Sequence, residues 1–384
     1  MSSEGTLVVV TSSFPIRCDG SEAAGSFVAD LVLALAERVD VRVVAPGPRK
    51  IKERWLDRVD VFRYAAPARP LSTLKPWNPM QWPWIFSVLN GGAAATRAAV
   101  ADDAGHILAL WGLPCGEWAR RAANARGIAY SVWLLGSDVW SLGRIPGLRG
   151  VLARVIRQAK HAYADGYQLG DDAKEISGSN IAFLPSTRSI SAADDSAPRG
   201  APPYRLLFLG RWHPNKGIDL LLDALIQLTD ADWARIERVE IQGGGPMDAL
   251  VRERAGRMRA LRRPVDVGGF LDKSEAAAAI ARADWLLIPS RIESIPVVFS
   301  DAMKLGRPIV SMPVGDLPKL LAEFPVGICA QEVSASAYAE ALRVALQTSP
   351  SGRTEALMSA ALPFSLQRSI IPRILAGAGV GRRE

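Results

Sequence analysis

The 384-residue chain is short of the residues that build disulfide and metal scaffolds, with three cysteines and three histidines. Cys18, Cys115 and Cys329 are odd in number, far apart and without CxxC spacing, which excludes a disulfide framework or zinc knuckle and fits a reducing cytosol. His106, His161 and His213 lack ligand spacing; His213 alone lies where it can touch a phosphate, and the other two read as structural. No apolar run approaches the roughly 18 residues that cross a bilayer. Met1 to Thr11 carries Glu4 where an export signal is basic, and Leu7 to Val10 is too short for its apolar core, so a cytoplasmic protein is expected. The net charge of +7 is spread over both halves without a basic stripe interleaved with aromatics, so no nucleic-acid partner is expected. No GxGxxG follows the first strand, which counts against a dehydrogenase.

What is present is an apolar chain, 49% hydrophobic and 22% charged, long enough for two or three domains. Strand-like runs alternate with helical patterns throughout, the signature of parallel sheets covered by helices. Strands are expected at 7–10, 41–45, 106–111, 129–134, 166–169 and 181–184, with a helix near 27–37. Residues 189–203, with little apolar content and three prolines, read as a linker. A second series comes after it at 205–209, 239–242, 265–268, 285–288, 308–312 and 326–330. The expected division is 1–188, linker 189–203, 204–359, and a helical tail 360–384 returning to the first domain. Pro67 to Trp84 holds five prolines with Trp77, Trp82 and Trp84 and reads as a loop. Its indoles either pack on the domain or form a lip for an acceptor or a membrane surface, with Arg49, Lys50, Lys52 and Arg54 upstream.

Three segments carry chemistry. Arg205 to Leu209 reads as a buried strand; Gly210 turns the backbone, Arg211 and Lys216 supply two cations, and Lys216-Gly217 opens a helix with Ile218, Leu221, Leu222 and Leu225 inward. A rigid guanidinium fork and a mobile ammonium beside a positive helix end suit a diphosphate. Gln242-Gly243-Gly244-Gly245-Pro246 repeats the arrangement, its glycines admitting a ligand and Pro246 suiting a first helical turn. After the strand 285–288, Ser294 is expected as an N-cap with Pro296 in the first turn. Glu293 then sits just ahead of the helix, facing hydroxyls a carboxylate can grip, with Asp301 further along and the amides of Ile295 and Val297 open to a phosphate. Phe270 and Leu271, past the strand 265–268, count on the donor side. Asp230-Ala231-Asp232 spells DxD but comes after a helix and reads as a solvated turn, not a metal site.

These segments resemble the GT-B-fold retaining glycosyltransferases of family 4, the glycosyl transferases group 1. The likeness rests on Gly210, Arg211, Lys216 and Gly217, on Gly243, Gly245 and Pro246, and on an acidic pair in which Asp301 stands for the second glutamate. The resemblance implies an α/β chain of two Rossmann-like, doubly wound domains facing across a cleft. It implies Arg211 and Lys216 on a diphosphate, Glu293 on the transferred sugar and Asp301 on the ribose. In the first half, Ser13-Phe14-Pro15 and Gly25-Ser26-Phe27 resemble the loop over the donor phosphate, and Trp111-Gly112-Leu113-Pro114 and Gly136-Ser137-Asp138 the acceptor side, represented by Trp111 and Asp138. Leu135 replaces a family histidine, and Pro296 a glycine. The resemblance further implies a metal-independent enzyme without a cofactor, using a nucleotide-diphosphate sugar as co-substrate and a glycan or lipid-linked acceptor. A peripheral contact with the inner face of the membrane goes with a lipid-linked acceptor. An epimerase and a catalytically silent scaffold are the alternatives.

Overall fold

The computed structural model describes residues 5–17, 22, 25–67, 78–192 and 197–380. The chain divides into two compact units, Met1–Arg188 with Ser365–Glu384, and Ser189–Phe364. Trp77 and Cys18 lie outside the described residues.

The first unit runs β1 (Thr6–Val10), α1 (Ser26–Ala36), β2 (Val41–Gly47), β3 (Ile51–Leu56), β4 (Val59–Ala65), α2 (Trp82–Ala99) and β5 (Ala104–Leu110). It continues with α3 (Glu117–Arg126), β6 (Ala129–Leu134), α4 (Ser137–Trp140), α5 (Pro146–Gln158), β7 (His161–Ala164), α6 (Tyr167–Ser177) and β8 (Ala182–Phe183). The sheet order is β3-β4-β2-β1-β5-β6-β7-β8, parallel except where β3 pairs antiparallel with β4. Central strands such as Leu7-Val8-Val9-Val10 are buried on both faces, which is why they read as continuous apolar runs. Helices α2, α3 and α5 cover one face, while α1 and the returning residues 366–380 cover the other. On α1, Val28, Leu31, Val32 and Leu35 form the inward stripe at helical spacing.

Two expectations change here. The strand expected at 166–169 lies at His161–Ala164, and Gly166 instead caps α6. That strand is four residues long and begins with a histidine, so its apolar signal is weak. Trp82 and Trp84, expected on a loop, belong to α2, because a proline at the start of a helix gives up no hydrogen bond.

The second unit runs β9 (Tyr204–Arg211), α7 (Ile218–Ile226), α8 (Asp230–Trp233), β10 (Ile236–Gly244), α9 (Asp248–Ala260), β11 (Val265–Val267), α10 (Lys273–Arg282) and β12 (Trp285–Ile288). Then come α11 (Val297–Lys304), β13 (Ile309–Ser311), α12 (Leu317–Glu323), β14 (Gly327–Cys329), α13 (Ala335–Gln347) and α14 (Thr354–Ala361). Its sheet is wholly parallel in the order β11-β10-β9-β12-β13-β14. Asp230-Ala231-Asp232 is the start of α8 and not a turn: the Asp232 carboxylate closes a capping box with Thr229. The segment before β9 is docked, since the buried Asp284 carboxylate accepts the Arg199 and Arg205 N–H groups at 2.9 and 2.8 Å. The final helix, α15 (Ile371–Ala378), belongs to the first unit, where Ile370, Ile371 and Ile374 join the core. Among the described residues no helix is long and apolar enough to cross a membrane.

His106, in the core of the first unit, shares a 2.9 Å hydrogen bond with Ser131 Oγ. Burial first, then the neighbouring Lys160 and His161, lower its pKa to about 4. The folded value lies below the unfolded one, so the folded state binds fewer protons and stability falls as pH drops from about 6.5 toward 4. Urea unfolding at pH 5 is expected to show about 2 kcal/mol less stability from this residue than at pH 7.5, and His106→Gln to remove that slope.

Candidate functional site

In the second unit the strand order is that of a doubly wound sheet: β9 comes first, β10 and β11 extend to one side, and β12 to β14 to the other. The loops after β9 and β12 therefore part at the carboxyl edge of the sheet, the place where open α/β sheets hold ligands. After β9, Arg211 ends the strand exposed, with no side-chain ion pair or hydrogen bond among the described residues. Pro214–Lys216 makes one tight helical turn, and Gly217 comes next with φ 66° as the N-cap of α7. His213 is committed locally, its Nδ1 accepting the Asn215 N–H at 3.2 Å.

The loop after β12 lies directly on this turn. A Cβ at position 217 would sit 1.8 Å from the Pro289 carbonyl oxygen, so only glycine permits the approach. The Asn215 carbonyl accepts the Arg291 N–H at 2.8 Å. The Arg291 guanidinium donates to the Pro214 carbonyl at 2.8 Å and grips Asp219 of α7 bidentately at 2.7 and 2.6 Å. With the loops so joined, Lys216 Nζ forms an ion pair with Glu293 Oε1, and Ser290 Oγ donates to that oxygen at 3.1 Å. The Glu293 side chain is 12% exposed and that of Lys216 35%, so a partly exposed ammonium meets a mostly buried carboxylate.

The remaining donor-side residues fall into two groups. Gly210 and Gly244 are neighbours across the β9–β10 pairing, Gly244 standing opposite Arg211 in register. The exposed ring of Phe270 lies over Gly244, and Leu271, half-buried, leads to the Asp272 cap of α10. Pro246 is not in a helical turn: α9 begins at Asp248 with Met247 as N-cap, because Gly245 and Pro246 form a separate turn against Trp212. Ser294 is not an N-cap either. Helix α11 starts at Val297 with Pro296 at the cap position, and the Ser294 hydroxyl is buried. The Ile295 side chain is buried as well. Asp301 lies within α11 and is buried.

Residues 203–348 match the model of the family described as Glycosyl transferases group 1. That match lies within the second unit, and the chain as a whole has the GT-B fold. It is 34% identical over 149 residues to the D-inositol 3-phosphate glycosyltransferase of Corynebacterium glutamicum, a match spanning 36% of this chain and only 34% of that protein. Sucrose-phosphate synthase from Thermosynechococcus elongatus superposes with a TM-score of 0.71 at 17% identity, over 96% of this chain and 97% of that one. HepE from Anabaena, solved in complex with UDP-glucose, gives 0.69 at 15% identity over 97% and 99%. At these identities the structural likeness establishes the fold.

The first unit places Gly25 after β1 and Trp111 after β5, again beside the point where the strand order reverses, and Asp138 after β6. Gly25 precedes α1 with φ 77°, and Phe27 meets the Trp111 ring edge-on at 6.1 Å. Asp138 is not presented to an acceptor. It is fully buried, and its oxygens accept the N–H groups of Gly112 at 2.6 Å, Val139 at 3.1 Å and Leu135 at 3.3 Å. Burial pushes its carboxyl above the usual carboxylate range, against the opposing pull of these N–H groups. Asp138→Ala leaves the three donors unanswered, and chemical unfolding is expected to register a loss of about 2 kcal/mol.

Three features of the candidate sites are not visible in the sequence. The Arg291–Asp219 clamp joins residues 72 apart, which no local pattern signals. Gly315, at φ 53°, passes so close to the Glu293–Ser294 backbone that a Cβ would meet the Glu293 carbonyl oxygen at 2.2 Å, and the Asp316 N–H donates to the Ser294 carbonyl at 3.2 Å. In the first unit the buried Arg63 holds the loop after β1, donating to the Pro15 carbonyl at 2.8 Å while its Nε pairs with Glu53 at 2.8 Å.

Proposed function

We propose that this protein transfers a sugar from a nucleotide-diphosphate donor to a hydroxyl of a glycan or lipid-linked acceptor, with retention of configuration and without a resident metal or cofactor. The Lys216–Glu293 pair carries this reading, because it sets a phosphate-binding cation against a hydroxyl-binding carboxylate at the reversal point of a doubly wound sheet. UDP-glucose in the related HepE structure supports a nucleotide sugar as donor.

In the proposed reaction the bond between the anomeric carbon and the diphosphate oxygen breaks while the acceptor oxygen bonds to that carbon on the same face. The acceptor proton passes to the departing diphosphate. Arg211, Lys216 and the N–H groups opening α7 and α11 stabilise the charge that develops on the leaving group, and Glu293 accepts hydrogen bonds from sugar hydroxyls. Without donor, Lys216 and Glu293 neutralise each other; the donor divides them, diphosphate to the one and sugar to the other. Asp301 is the proposed neighbour of the ribose, and Trp111 stands on the acceptor side. Acting on a lipid-linked acceptor places the protein in the cytoplasm at the inner face of the membrane.

The test is a thermal-shift screen of nucleotide sugars, then product analysis with the donor that binds. A donor at about 100 times its Kd stabilises by about 2.7 kcal/mol, a shift of several degrees. A flat response across uridine, guanosine and adenosine diphosphate sugars would overturn the donor class; stabilisation without sugar transfer to any acceptor would make the protein a binding scaffold.

A further inference from the structure

The opening of α7 carries a charge of the wrong sign for the ligand proposed there. Asp219 stands in the first turn of this helix, and the N-cap, Gly217, has no side chain to shield it. A carboxylate at a helix N-terminus is stabilising by itself, because it answers the positive end of the dipole. For the same reason it competes with any other anion brought to that end. Burial alone would raise the Asp219 pKa, but the hydrogen bonds and charge of Arg291, then the N–H groups of Asp219 and Leu220, hold its carboxyl below the usual range. A full negative charge therefore lies at the helix opening, in the same short segment as Lys216.

Arg291 answers it from the loop after β12. Its guanidinium grips both Asp219 oxygens at 2.7 and 2.6 Å, with the two side chains 33% and 22% exposed, so water and salt screen the pair only in part. Arg291 also donates from Nη1 to the Pro214 carbonyl and from its backbone N–H to the Asn215 carbonyl, each at 2.8 Å, and both acceptors belong to the turn that carries Lys216. The next carboxylate of α7, Asp223, is paired separately with Arg254 of α9. Over residues 211–219 and 289–296, Arg211, Lys216 and Arg291 stand against Asp219 and Glu293, an excess of one formal positive charge. Without Arg291 that excess is gone, and a diphosphate meets two loops with no net charge to attract it.

We propose that Arg291 is a positioning residue for the donor diphosphate, cancelling the Asp219 charge at the α7 opening while it fixes the Lys216 turn against the Glu293 loop. This role rests on the diphosphate reading of Arg211 and Lys216; Arg291 acts through Asp219 and Lys216 without touching the donor. Lysine does not replace it, because one ammonium cannot span both carboxylate oxygens and the Pro214 carbonyl as a planar fork does. A purely mechanical joint makes a different demand. It needs both Arg291 and Asp219, whereas charge cancellation needs Arg291 only while a carboxylate stands at position 219.

Calorimetric titration of the full chain with uridine, guanosine and adenosine diphosphate, at low and high salt, separates the two. Arg291→Met is expected to weaken the nucleotide that wild type binds by about tenfold or more at low salt, and by less at high salt. Asp219→Asn is expected to bind it as tightly as wild type or more tightly. Arg291→Met combined with Asp219→Asn is expected to recover affinity to within about threefold of wild type, since the opposing carboxylate is gone. Melting curves and far-ultraviolet spectra establish that each variant folds. If Arg291→Met does not, Asp219→Asn decides alone, and binding weaker than wild type overturns the charge role. Arg291→Met that binds like wild type, or a double variant as weak as Arg291→Met, overturns it as well. Wild type that binds none of the three nucleotides is a different failure: the donor reading goes, and the role of Arg291 with it.

Discussion

Replacing Lys216 by alanine is expected to lower kcat/KM for the nucleotide-sugar donor by about 30- to 150-fold, near 2–3 kcal/mol. What is lost is a charge-assisted contact to the leaving diphosphate. The ion pair with Glu293 belongs to the free enzyme and is divided by the donor, so it does not add to this loss. Glu293→Gln tests the carboxylate separately: the amide is nearly the same size, Lys216 stays for the diphosphate, and turnover falls while nucleoside diphosphate binding holds. Steady-state kinetics beside calorimetry with the nucleoside diphosphate makes the comparison. Equal losses of turnover and nucleotide binding in Glu293→Gln would make that residue a nucleotide ligand only, and unchanged kinetics in Lys216→Ala would remove the phosphate assignment.

Gly217→Ala is expected to be the most damaging small substitution to the site, costing about 4–5 kcal/mol of stability in the second unit. The added carbon meets the Pro289 carbonyl at 1.8 Å, backbone against backbone, with no flexible side chain to give way. The left-handed φ of 66° adds its own strain. Relief requires the loop after β12 to leave the turn after β9, and the Arg291–Asp219 clamp and the Lys216–Glu293 pair go with it. Urea unfolding gives the stability change. A variant as stable as the parent, with donor binding intact, would show that the two loops do not depend on this approach.

The course of the second unit was readable because each local signal agreed with the next. Arg205 to Leu209 reads as a strand, Gly210 as a turn, and Ile218, Leu221, Leu222 and Leu225 as an inward stripe, and all four of those residues are fully buried. Contacts between distant segments were not readable. Glu293 could be placed at the sheet edge from sequence, but not its pairing with Lys216, which depends on how closely two loops approach. Asp138 shows the limit most clearly: an aspartate after glycine and serine looks like a ligand-binding residue until its neighbours are known, and its neighbours are three backbone N–H groups. Helix starts slipped for a related reason. At Ser294 and Pro246 the residue types suit a first turn, yet contacts with the Gly315 and Trp212 backbones keep each segment out of the helix. The β3–β4 hairpin went unmarked because charged side chains such as Lys52, Arg54 and Asp60 line its outer positions and pair across it.

The return of the chain to the first unit has a bearing on how the protein is made. Ile370, Ile371 and Ile374 fill one face of a core whose other members, such as Leu7, Val9, Leu31 and Val43, are synthesised at the start. Residues 189–364, by contrast, form an uninterrupted stretch with its own interior. On the ribosome the later-encoded unit can therefore close first, while the earlier one waits with an apolar sheet face open until about residue 380 has emerged. During that interval the nascent protein is most exposed to aggregation, and the final helix ends it.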